Sequence, residues 1–273
     1  MTPYYQDDLV TIYHGDCRAI LGAIPLVDLV FTSPPYNLGT SVGGAFEWLR
    51  KGKKLGHYAH DARLGKRGGT GKWSGGSLAH GYGAHDDAMP HDEYVLWQKS
   101  ILRLCWERLS DTGAIYYNHK PRIQDGLLIT PLWYIPEELE AENLRQIVIW
   151  ARAGGMNFTQ VSYVPTHEWI VIIAKPDFRL RDQSASGVGD VWRVAQQTGD
   201  IDHPAPFPVA LPARAIETTT AQLILDPFMG SGTTLVAAKA AGRRAIGIEI
   251  EERYCEIAAQ RLSQATLGLD VPA

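Results

Sequence analysis

The sequence predicts an α/β fold in which helices cover both faces of a mainly parallel β-sheet of about seven strands. Short apolar runs rich in β-branched residues alternate with helix-favouring segments, and this alternation is typical of parallel sheets. The chain has 273 residues, of which 45% are hydrophobic, so it can bury a large core. We therefore expect one domain that spans residues 1–273.

Seven apolar runs have the length and composition of buried strands. They are residues 9–13, 26–31, 114–117, 147–150, 169–174, 223–225 and 245–248. Three segments favour helices, because apolar side chains recur on one face or because they are rich in Ala. These segments are residues 92–109, 233–241 and 251–262.

Two segments interrupt the alternation. Residues 38–90 are rich in Gly, His, Lys and Arg, show no periodicity and are too long for an ordinary connection, so they predict an inserted functional or mobile loop. Between residues 50 and 72, eight basic residues stand against one acidic residue, although the formal net charge of the chain is −4. Residues 176–212, with three Gly and five Pro, separate the two halves of the α/β pattern.

Composition excludes several classes of protein. No apolar run reaches the roughly 18 residues that a membrane span needs, so we expect a soluble, cytoplasmic protein. The three cysteines, Cys17, Cys105 and Cys255, form no CxxC pair, which argues against a disulfide framework or a zinc site and favours ordinary buried thiols. The histidines of residues 57–91 have no regular ligand spacing, so no metal is expected.

The first chemical motif is the turn Ser33-Pro34-Pro35-Tyr36, which ends a hydrophobic strand. Groups at the carboxyl ends of strands line the ligand crevice of an open α/β sheet. The two prolines fix the backbone, so the Ser33 hydroxyl and the Pro34 carbonyl are held together as acceptors beside the flat ring of Tyr36. This suits a planar amino group with two N–H donors. The alternative to a binding site is a purely structural role, in which the motif is a rigid strand-to-loop turn with a core tyrosine.

The second motif is residues 226–234, where another strand runs into a glycine turn and a helix, so that a ligand can approach the backbone closely. A phosphate-binding loop is excluded because Thr233 and Thr234 replace the required Lys-Ser/Thr ending. A dinucleotide fingerprint would need a glycine where Leu235 stands. Downstream, a strand ends in Glu249, which is suitably placed to accept hydrogen bonds from ribose hydroxyls. A nucleoside without a pyrophosphate fits best.

Together these two runs resemble the signature of the amino-methyltransferases of DNA. The Ser-Pro-Pro-Tyr turn matches the catalytic motif of that family, and residues 226–234 match its cofactor motif. The catalytic motif comes first by almost 200 residues, and this permuted order resembles the β class. The resemblance implies a Rossmann-like, S-adenosylmethionine-dependent methyltransferase fold with a mainly parallel seven-stranded sheet and a circularly permuted motif order.

Other segments agree with this resemblance: residues 14–17 resemble the strand end that contacts the cofactor adenine, and residues 203–208 resemble the segment that packs on its methionine end. The resemblance thus implies catalytic roles for Ser33, Pro34, Pro35 and Tyr36. It implies contacts with S-adenosylmethionine for Asp16, Thr32, His203, Pro204, Phe207, Asp226, Pro227, Phe228, Gly230, Ser231, Gly232, Thr233 and Glu249. Two alternatives stay open: Asp16 caps the following helix at Arg18, and Glu249 complements a helix dipole.

The activity implied is methyl transfer from S-adenosylmethionine to the N4 amino group of cytosine in double-stranded DNA. A Ser before the Pro-Pro pair is associated with cytosine-N4 in this family, and adenine-N6 is the alternative. A base inside a duplex cannot reach the turn, so we expect base flipping. A C5-cytosine enzyme would need a nucleophilic Pro-Cys pair, and no cysteine here follows a proline. An RNA or protein methyltransferase and an inactive DNA-binding protein are weaker alternatives, since both motifs are intact.

The basic loop is the expected DNA contact, with a solvated surface loop as its alternative. The residues expected to contact phosphates are Lys51, Lys53, Lys54, Lys66, Arg67 and Lys72. Because residues 176–203 are short for a target-recognition segment, we expect the insertion to share the reading of bases. A homodimer and a cognate restriction endonuclease are compatible partners, in a bacterial, archaeal or phage-encoded setting.

Overall fold

The computed structural model describes residues 1–37, 85, 89–124, 127–152, 162–196 and 207–266. In chain order its strands are β1 (Tyr5–Gln6), β2 (Val10–His14), β3 (Val27–Thr32), β4 (Leu109–His119), β5 (Arg122–Gln124), β6 (Leu127–Ile129), β7 (Leu144–Ala151), β8 (His167–Ala174), β9 (Val191–Arg193), β10 (Leu223–Asp226) and β11 (Arg244–Glu249). Its helices are α1 (Cys17–Ile20), α2 (His91–Glu107), α3 (Glu137–Asn143), α4 (Gln183–Ser186), α5 (Ala210–Glu217), α6 (Thr233–Ala240) and α7 (Glu252–Thr266).

Nine of these strands form one sheet in the order β1-β2-β11-β10-β3-β4-β8-β7-β9, and β5 pairs with β6 in a separate hairpin. Strands β2, β11, β10, β3 and β4 are mutually parallel, whereas β8 runs antiparallel to both β4 and β7. All seven predicted strands are present, so the prediction of a mainly parallel sheet is confirmed. The two additional strands, β1 and β9, are short edge strands that apolar patterning does not reveal.

Helices cover both faces of this sheet, as predicted. On one face α5, α6 and α7 pack through apolar side chains such as Leu211, Leu235 and Ala258. On the other face α1, α2 and α3 pack through side chains that include Ile101 and Leu139. The three predicted helices correspond to α2, α6 and α7, and the shorter helices were not predicted.

Strand β3 shows how the sequence pattern produces the two-sided core. Leu29 and Phe31 belong to the apolar cluster on one face, whereas Val30 belongs to the cluster on the other. Successive side chains of a strand point to opposite faces, so a strand that is buried on both sides is apolar throughout. Apart from Asp28, which is only partly buried, the strand is therefore apolar until it ends in the polar residue Thr32.

The strand directions bring many polar groups to one edge of the sheet. The carboxyl ends of β2, β11, β10, β3 and β4 meet there because these strands are parallel. Since β8 is antiparallel to β4, it contributes its first residues to the same edge, and β7 contributes its last ones. We call this edge the site edge.

The three cysteines are buried free thiols, as predicted. Within the described ranges, no helix combines the length and apolar character that crossing a membrane requires. The same part of the chain contains no group of His, Cys, Asp and Glu side chains that could hold a metal ion.

Candidate active site

The glycine turn after β10 is shaped by two left-handed residues at the site edge. Gly230 has a φ of 50° and Gly232 has a φ of 80°, a region in which side chains are unfavourable. A Cβ on Gly232 would lie 2.8 Å from the Cβ of Ala258 in α7. The turn therefore requires glycine for its backbone conformation and for the close approach of α7.

Asp226 ties this turn to the strand that carries the Ser-Pro-Pro-Tyr motif. Its carboxylate accepts hydrogen bonds from the Thr32 hydroxyl at 2.9 Å, the Thr234 hydroxyl at 2.6 Å and the Phe228 amide at 3.1 Å. The side chain is fully buried, and this burial raises its pKa to about 6. The predicted cofactor residues Thr32, Asp226 and Phe228 therefore lie in one hydrogen-bonded group.

Glu249 lies at the end of β11, beside the same turn. One carboxylate oxygen accepts the Gly230 amide at 2.9 Å, and the other accepts the Glu251 amide at 2.9 Å. Burial raises the pKa of Glu249 to about 7. The bond to Glu251 reaches the residue before α7, but the acidic residue in the first turn of that helix is Glu252, so the helix-dipole role of Glu249 stays a prediction. A carboxylate has about four acceptor sites, so two remain for ligand hydroxyls.

Asp16 follows β2 and is the N-cap of α1. Its carboxylate accepts the Arg18 amide at 2.9 Å and pairs with the Arg18 guanidinium at 2.6 Å. These contacts lower the pKa of Asp16. The capping interpretation is therefore confirmed, and contact with a cofactor adenine stays a prediction for this residue.

The other predicted cofactor residues lie around the turn. Pro227, Ser231 and Thr233 are buried, and the Arg261 guanidinium donates to the Ser231 carbonyl at 2.6 Å and to the Ser231 hydroxyl at 3.1 Å. The ring of Phe228 packs 5.4 Å from that of Trp97. Phe207 packs 5.5 Å from Phe31, whereas His203 and Pro204 lie outside the described residues.

These residues fit a nucleoside cofactor of the predicted kind. The carboxylates of Glu249 and Asp16 stand at the ends of neighbouring parallel strands, where they can accept from hydroxyl and amino donors. Gly230 and Gly232 in the turn between β10 and α6 have left-handed backbone conformations, and glycine at such positions lets a ligand approach the backbone closely.

The Ser-Pro-Pro-Tyr turn enters a network of buried polar groups. The Ser33 and Tyr36 hydroxyls are 2.9 Å apart, and the Tyr36 hydroxyl donates to Glu168 at 2.9 Å. The Asn118 amide nitrogen lies 3.2 Å from the Ser33 hydroxyl, 3.0 Å from the Tyr36 hydroxyl and 3.1 Å from Glu168. Arg152 completes the network by pairing with Glu168 at 3.1 Å.

The two proline carbonyls have different surroundings. The Tyr94 hydroxyl from α2 lies 2.6 Å from the Pro35 carbonyl, 2.9 Å from the His119 ring and 2.8 Å from the Gln98 amide. For the Pro34 carbonyl, the described part of the chain supplies no hydrogen-bond donor. The predicted acceptor pair of Ser33 hydroxyl and Pro34 carbonyl is thus compatible with an incoming amino group.

The ring of Tyr36 packs against His119, with ring centroids 4.4 Å apart. Burial lowers the pKa of His119 to about 3, so this ring is neutral near pH 7. One side of Tyr36 is therefore occupied by the protein, and the predicted stacking on a flipped base requires its other side.

Sequence reasoning missed five polar residues of the site: Tyr94, Asn118, His119, Arg152 and Glu168. Asn118 and His119 directly follow an apolar run that was predicted as a strand, which is the same signal that revealed Ser33. The six basic residues expected to contact DNA all lie outside the described residues.

Comparison with known proteins identifies the family. The model of the DNA methylase family matches residues 27–260. The Type II methyltransferase M.ScaI of Streptomyces caespitosus is 31% identical over 98% of this chain and 86% of its own length. The Type II methyltransferase M.BglII of Bacillus subtilis is 26% identical over 94% of this chain and 70% of its own length.

Solved structures share the fold. The PvuII DNA methyltransferase (cytosine-N4-specific) matches with a TM-score of 0.68 at 18% identity, over 99% of this chain and 90% of that one. The M1.HpyAVI–SAM complex matches with a TM-score of 0.57 at 20% identity, over 93% of this chain and all of that one. The predicted Rossmann-like methyltransferase fold is therefore confirmed. On the family match, this chain belongs to the DNA methylases of the N4/N6 amino type, which use S-adenosylmethionine as methyl donor.

Proposed function

We propose that this protein is a site-specific methyltransferase that modifies the N4 amino group of cytosine in double-stranded DNA. The observation that carries the proposal is the Thr32–Asp226 hydrogen bond, which joins the end of the catalytic strand to the start of the glycine turn. This bond holds the Ser33 turn and the glycine turn side by side, although they are almost 200 residues apart in the chain.

The chemistry follows from the acceptors of the Ser33 turn. The exocyclic amine of a base is a poor nucleophile because its lone pair is delocalised into the ring. The Ser33 hydroxyl and the Pro34 carbonyl can accept hydrogen bonds from its two N–H groups. These hydrogen bonds draw the N–H groups out of the ring plane, which localises the lone pair on nitrogen. Positioning and electrostatics then supply much of the acceleration, without a covalent adduct between protein and base.

The residues around the glycine turn would hold the cofactor. Glu249 would accept from the ribose hydroxyls, Asp16 would lie toward the adenine, and Phe207 would pack near the methionine end. When bound, S-adenosylmethionine supplies an electrophilic methyl group on a sulfonium. The contribution of the protein is to hold the target amine in line with that methyl group and to exclude water.

Two observations support cytosine over adenine. The residue before the Pro-Pro pair is Ser33, which the family associates with cytosine-N4 modification. The PvuII enzyme, which matches this chain in fold, is described as cytosine-N4-specific. Adenine-N6 is the second candidate, because an acceptor pair that binds an amino group suits either base.

The partner is proposed to be duplex DNA, with the target base flipped onto the side of the Tyr36 ring opposite His119. Of the short segment 176–203, residues 191–193 form the edge strand β9, and Trp192 is buried with its indole nitrogen donating to the Gly189 carbonyl at 3.0 Å. Residues 191–193 therefore serve the sheet, which leaves less of this short segment for reading DNA and supports a role for residues 38–90. The Type II names of the relatives support a cognate restriction endonuclease.

Nucleoside analysis of host DNA tests this proposal. The protein is expressed in a host that lacks its own DNA amino-methyltransferases, with Ser33→Ala as the control, and the DNA is digested and analysed by mass spectrometry. We expect N4-methylcytosine with the wild type and none with the variant. Detection of N6-methyladenine instead would establish the second candidate. If neither modified base is detected, the proposal is overturned. Sequencing of the modified positions gives the recognition sequence.

A further inference from the structure

We propose that Glu168 is a positioning residue that fixes the direction of the hydrogen bonds in the catalytic turn, so that Ser33 can only accept a hydrogen bond from the base. The consequence is selection of an exocyclic amino group over a carbonyl oxygen at the same place on the ring. This inference rests on the proposed function, because it assigns a specificity determinant to the same site.

The chain of bonds begins at a carboxylate that can only accept. Glu168 is 6% exposed and is paired with Arg152, whose side chain is 11% exposed. An ionised carboxylate has no proton to donate. The contact of 2.9 Å between Glu168 and the Tyr36 hydroxyl must therefore be a donation from Tyr36.

The next link follows from the capacity of a phenol. A tyrosine hydroxyl has one proton, and the Tyr36 proton is committed to Glu168. In its contact of 2.9 Å with Ser33, the Tyr36 oxygen therefore accepts, and Ser33 is the donor. Tyr36 also accepts from the Asn118 amide at 3.0 Å, which uses its remaining acceptor site.

Asn118 supports the same direction of the hydrogen bonds between Ser33, Tyr36 and Glu168. Its amide nitrogen lies 3.1 Å from Glu168, and the reversed orientation would place the amide oxygen against the carboxylate. Because the NH₂ end faces Glu168, it presents donors and not an acceptor to the oxygens of Ser33 and Tyr36, and its two N–H groups can bond two of these three oxygens at a time. The residue is 1% exposed, and its side-chain oxygen is buried without a hydrogen-bond partner in the described part of the chain.

Ser33 is thereby left as an acceptor. Its one proton goes to Tyr36, one lone pair faces Asn118 at 3.2 Å, and one lone pair remains. A serine hydroxyl in isolation can rotate to satisfy either a donor or an acceptor. With its proton committed, it is complementary to the N–H of an amino group and repels a carbonyl oxygen, which would leave buried acceptors facing each other.

The test measures the binding of two DNA duplexes by each protein variant. One duplex carries the recognition sequence found by the nucleoside and sequencing experiment. In the other, the target base is replaced by its carbonyl analogue, uracil for cytosine or hypoxanthine for adenine. Dissociation constants are measured by fluorescence anisotropy with S-adenosylhomocysteine present. The quantity of interest is the ratio of the two constants, because differences in pairing between the duplexes are common to all variants.

Two variants break the chain at different links. Glu168→Gln introduces an amide that can donate to Tyr36 as well as accept from it, so that the direction is no longer fixed. Tyr36→Phe removes the hydroxyl that accepts the Ser33 proton but keeps the ion pair of Glu168 with Arg152. For each, we expect the preference for the amine to fall about tenfold, and we expect no further fall when the two are combined.

The matched control is Glu138→Gln, because Glu138 pairs with Arg103 on an exposed surface. It should keep the wild-type ratio. The inference is overturned if a folded Glu168→Gln or Tyr36→Phe protein keeps that ratio while its overall affinity or stability changes, since Glu168 would then be structural. If thermal melting shows Glu168→Gln to be unfolded, Tyr36→Phe decides alone. A wild type that methylates no DNA would instead contradict the proposed function.

Discussion

The hydroxyl of Thr32 donates a hydrogen bond of 2.9 Å to the carboxylate of Asp226, and both side chains are buried. Thr32 ends the strand before the catalytic turn, and Asp226 ends the strand before the glycine turn. Since burial disfavours the ionised form of Asp226, each donor to this carboxylate matters for the geometry of both turns.

Replacement of Thr32 by Val should weaken both turns, because it removes one donor to Asp226 with little change of shape. We expect the free energy of unfolding to fall by about 1–3 kcal/mol, the usual effect of depriving a buried polar group of its partner. Affinity for S-adenosylmethionine should fall as well. Calorimetric titration and thermal melting measure the two effects, and Thr32→Ser, which keeps the hydroxyl, should retain most of the affinity. Equal affinity in Thr32→Val and wild type would contradict this role.

Binding of S-adenosylmethionine should weaken as the pH falls below about 7. Burial raises the pKa of Glu249 to about 7, and the ribose hydroxyls are expected to bind its ionised form. Because that form is depleted below its pKa, the dissociation constant should rise with falling pH by at most about tenfold per pH unit. Calorimetric titration between pH 5.5 and pH 8, chosen as a range around that pKa, measures this dependence.

The control for this pH dependence is Glu249→Gln, which has no titrating carboxyl. Its affinity should be lower than that of the wild type at high pH and should vary less across the range. Burial raises the pKa of Asp226 to about 6, so this carboxyl should cause a residual dependence at the acidic end. An unchanged slope in Glu249→Gln would show that Glu249 does not contact the ribose.

The core of the site was predictable because parallel strands end at one edge. Ser33, Asp226 and Glu249 each stand at or directly after the end of an apolar run, so the sequence pattern and the expected strand direction place them together. Chemistry then distinguished the two turns, since one carries rigid acceptors and the other carries glycines.

Glu168 and Arg152 were not predictable in the same way. Glu168 lies at the start of β8, which joins the site edge only because this strand is antiparallel to β4. Nothing in the apolar run itself specifies that direction. Tyr94 was missed for a different reason: it lies on the apolar face of α2 with an exposed fraction of 0%, and only the fold shows that its hydroxyl reaches the Pro35 carbonyl.

The basic insertion should contribute salt-dependent DNA affinity. Replacing Lys51, Lys53 and Lys54 by Ala should weaken binding to specific and unrelated duplexes alike. The slope of log K against log salt should become shallower by about 0.9 for each phosphate contact that is lost. Anisotropy titrations over a series of salt concentrations measure this slope. Arg103→Ala, outside the insertion, should leave it unchanged, and an unchanged slope in the triple variant would favour a merely solvated loop.

Gly232→Ala should destabilise the protein more than Gly242→Ala. Both glycines have positive φ, but a Cβ on Gly232 would lie 2.8 Å from the Cβ of Ala258, whereas a Cβ on Gly242 would meet nothing within 4 Å. Both variants carry the conformational penalty of about 1–3 kcal/mol, so their difference in unfolding free energy isolates the contact with α7. Denaturant unfolding measures it. Adding Ala258→Gly should reduce the difference, and equal effects of the two single variants would contradict the close approach.

Two neighbouring tyrosines should respond differently to removal of their hydroxyls. Tyr94 and Tyr134 are both buried, with ring centroids 5.1 Å apart, but the Tyr94 hydroxyl contacts Pro35, His119 and Gln98. The Tyr134 hydroxyl is buried without a hydrogen-bond partner in the described ranges. Tyr94→Phe leaves polar groups unpaired and should lower the free energy of unfolding by about 1–3 kcal/mol, whereas Tyr134→Phe should be neutral or stabilising.

The same pair separates stability from catalysis. Since the Tyr94 hydroxyl holds the Pro35 carbonyl, its loss should also lower the rate of methyl transfer under single-turnover conditions. Tyr134→Phe should keep the wild-type rate. Measured at a temperature where both variants are folded, equal rates would show that the Tyr94 contact maintains the core and does not position the catalytic turn.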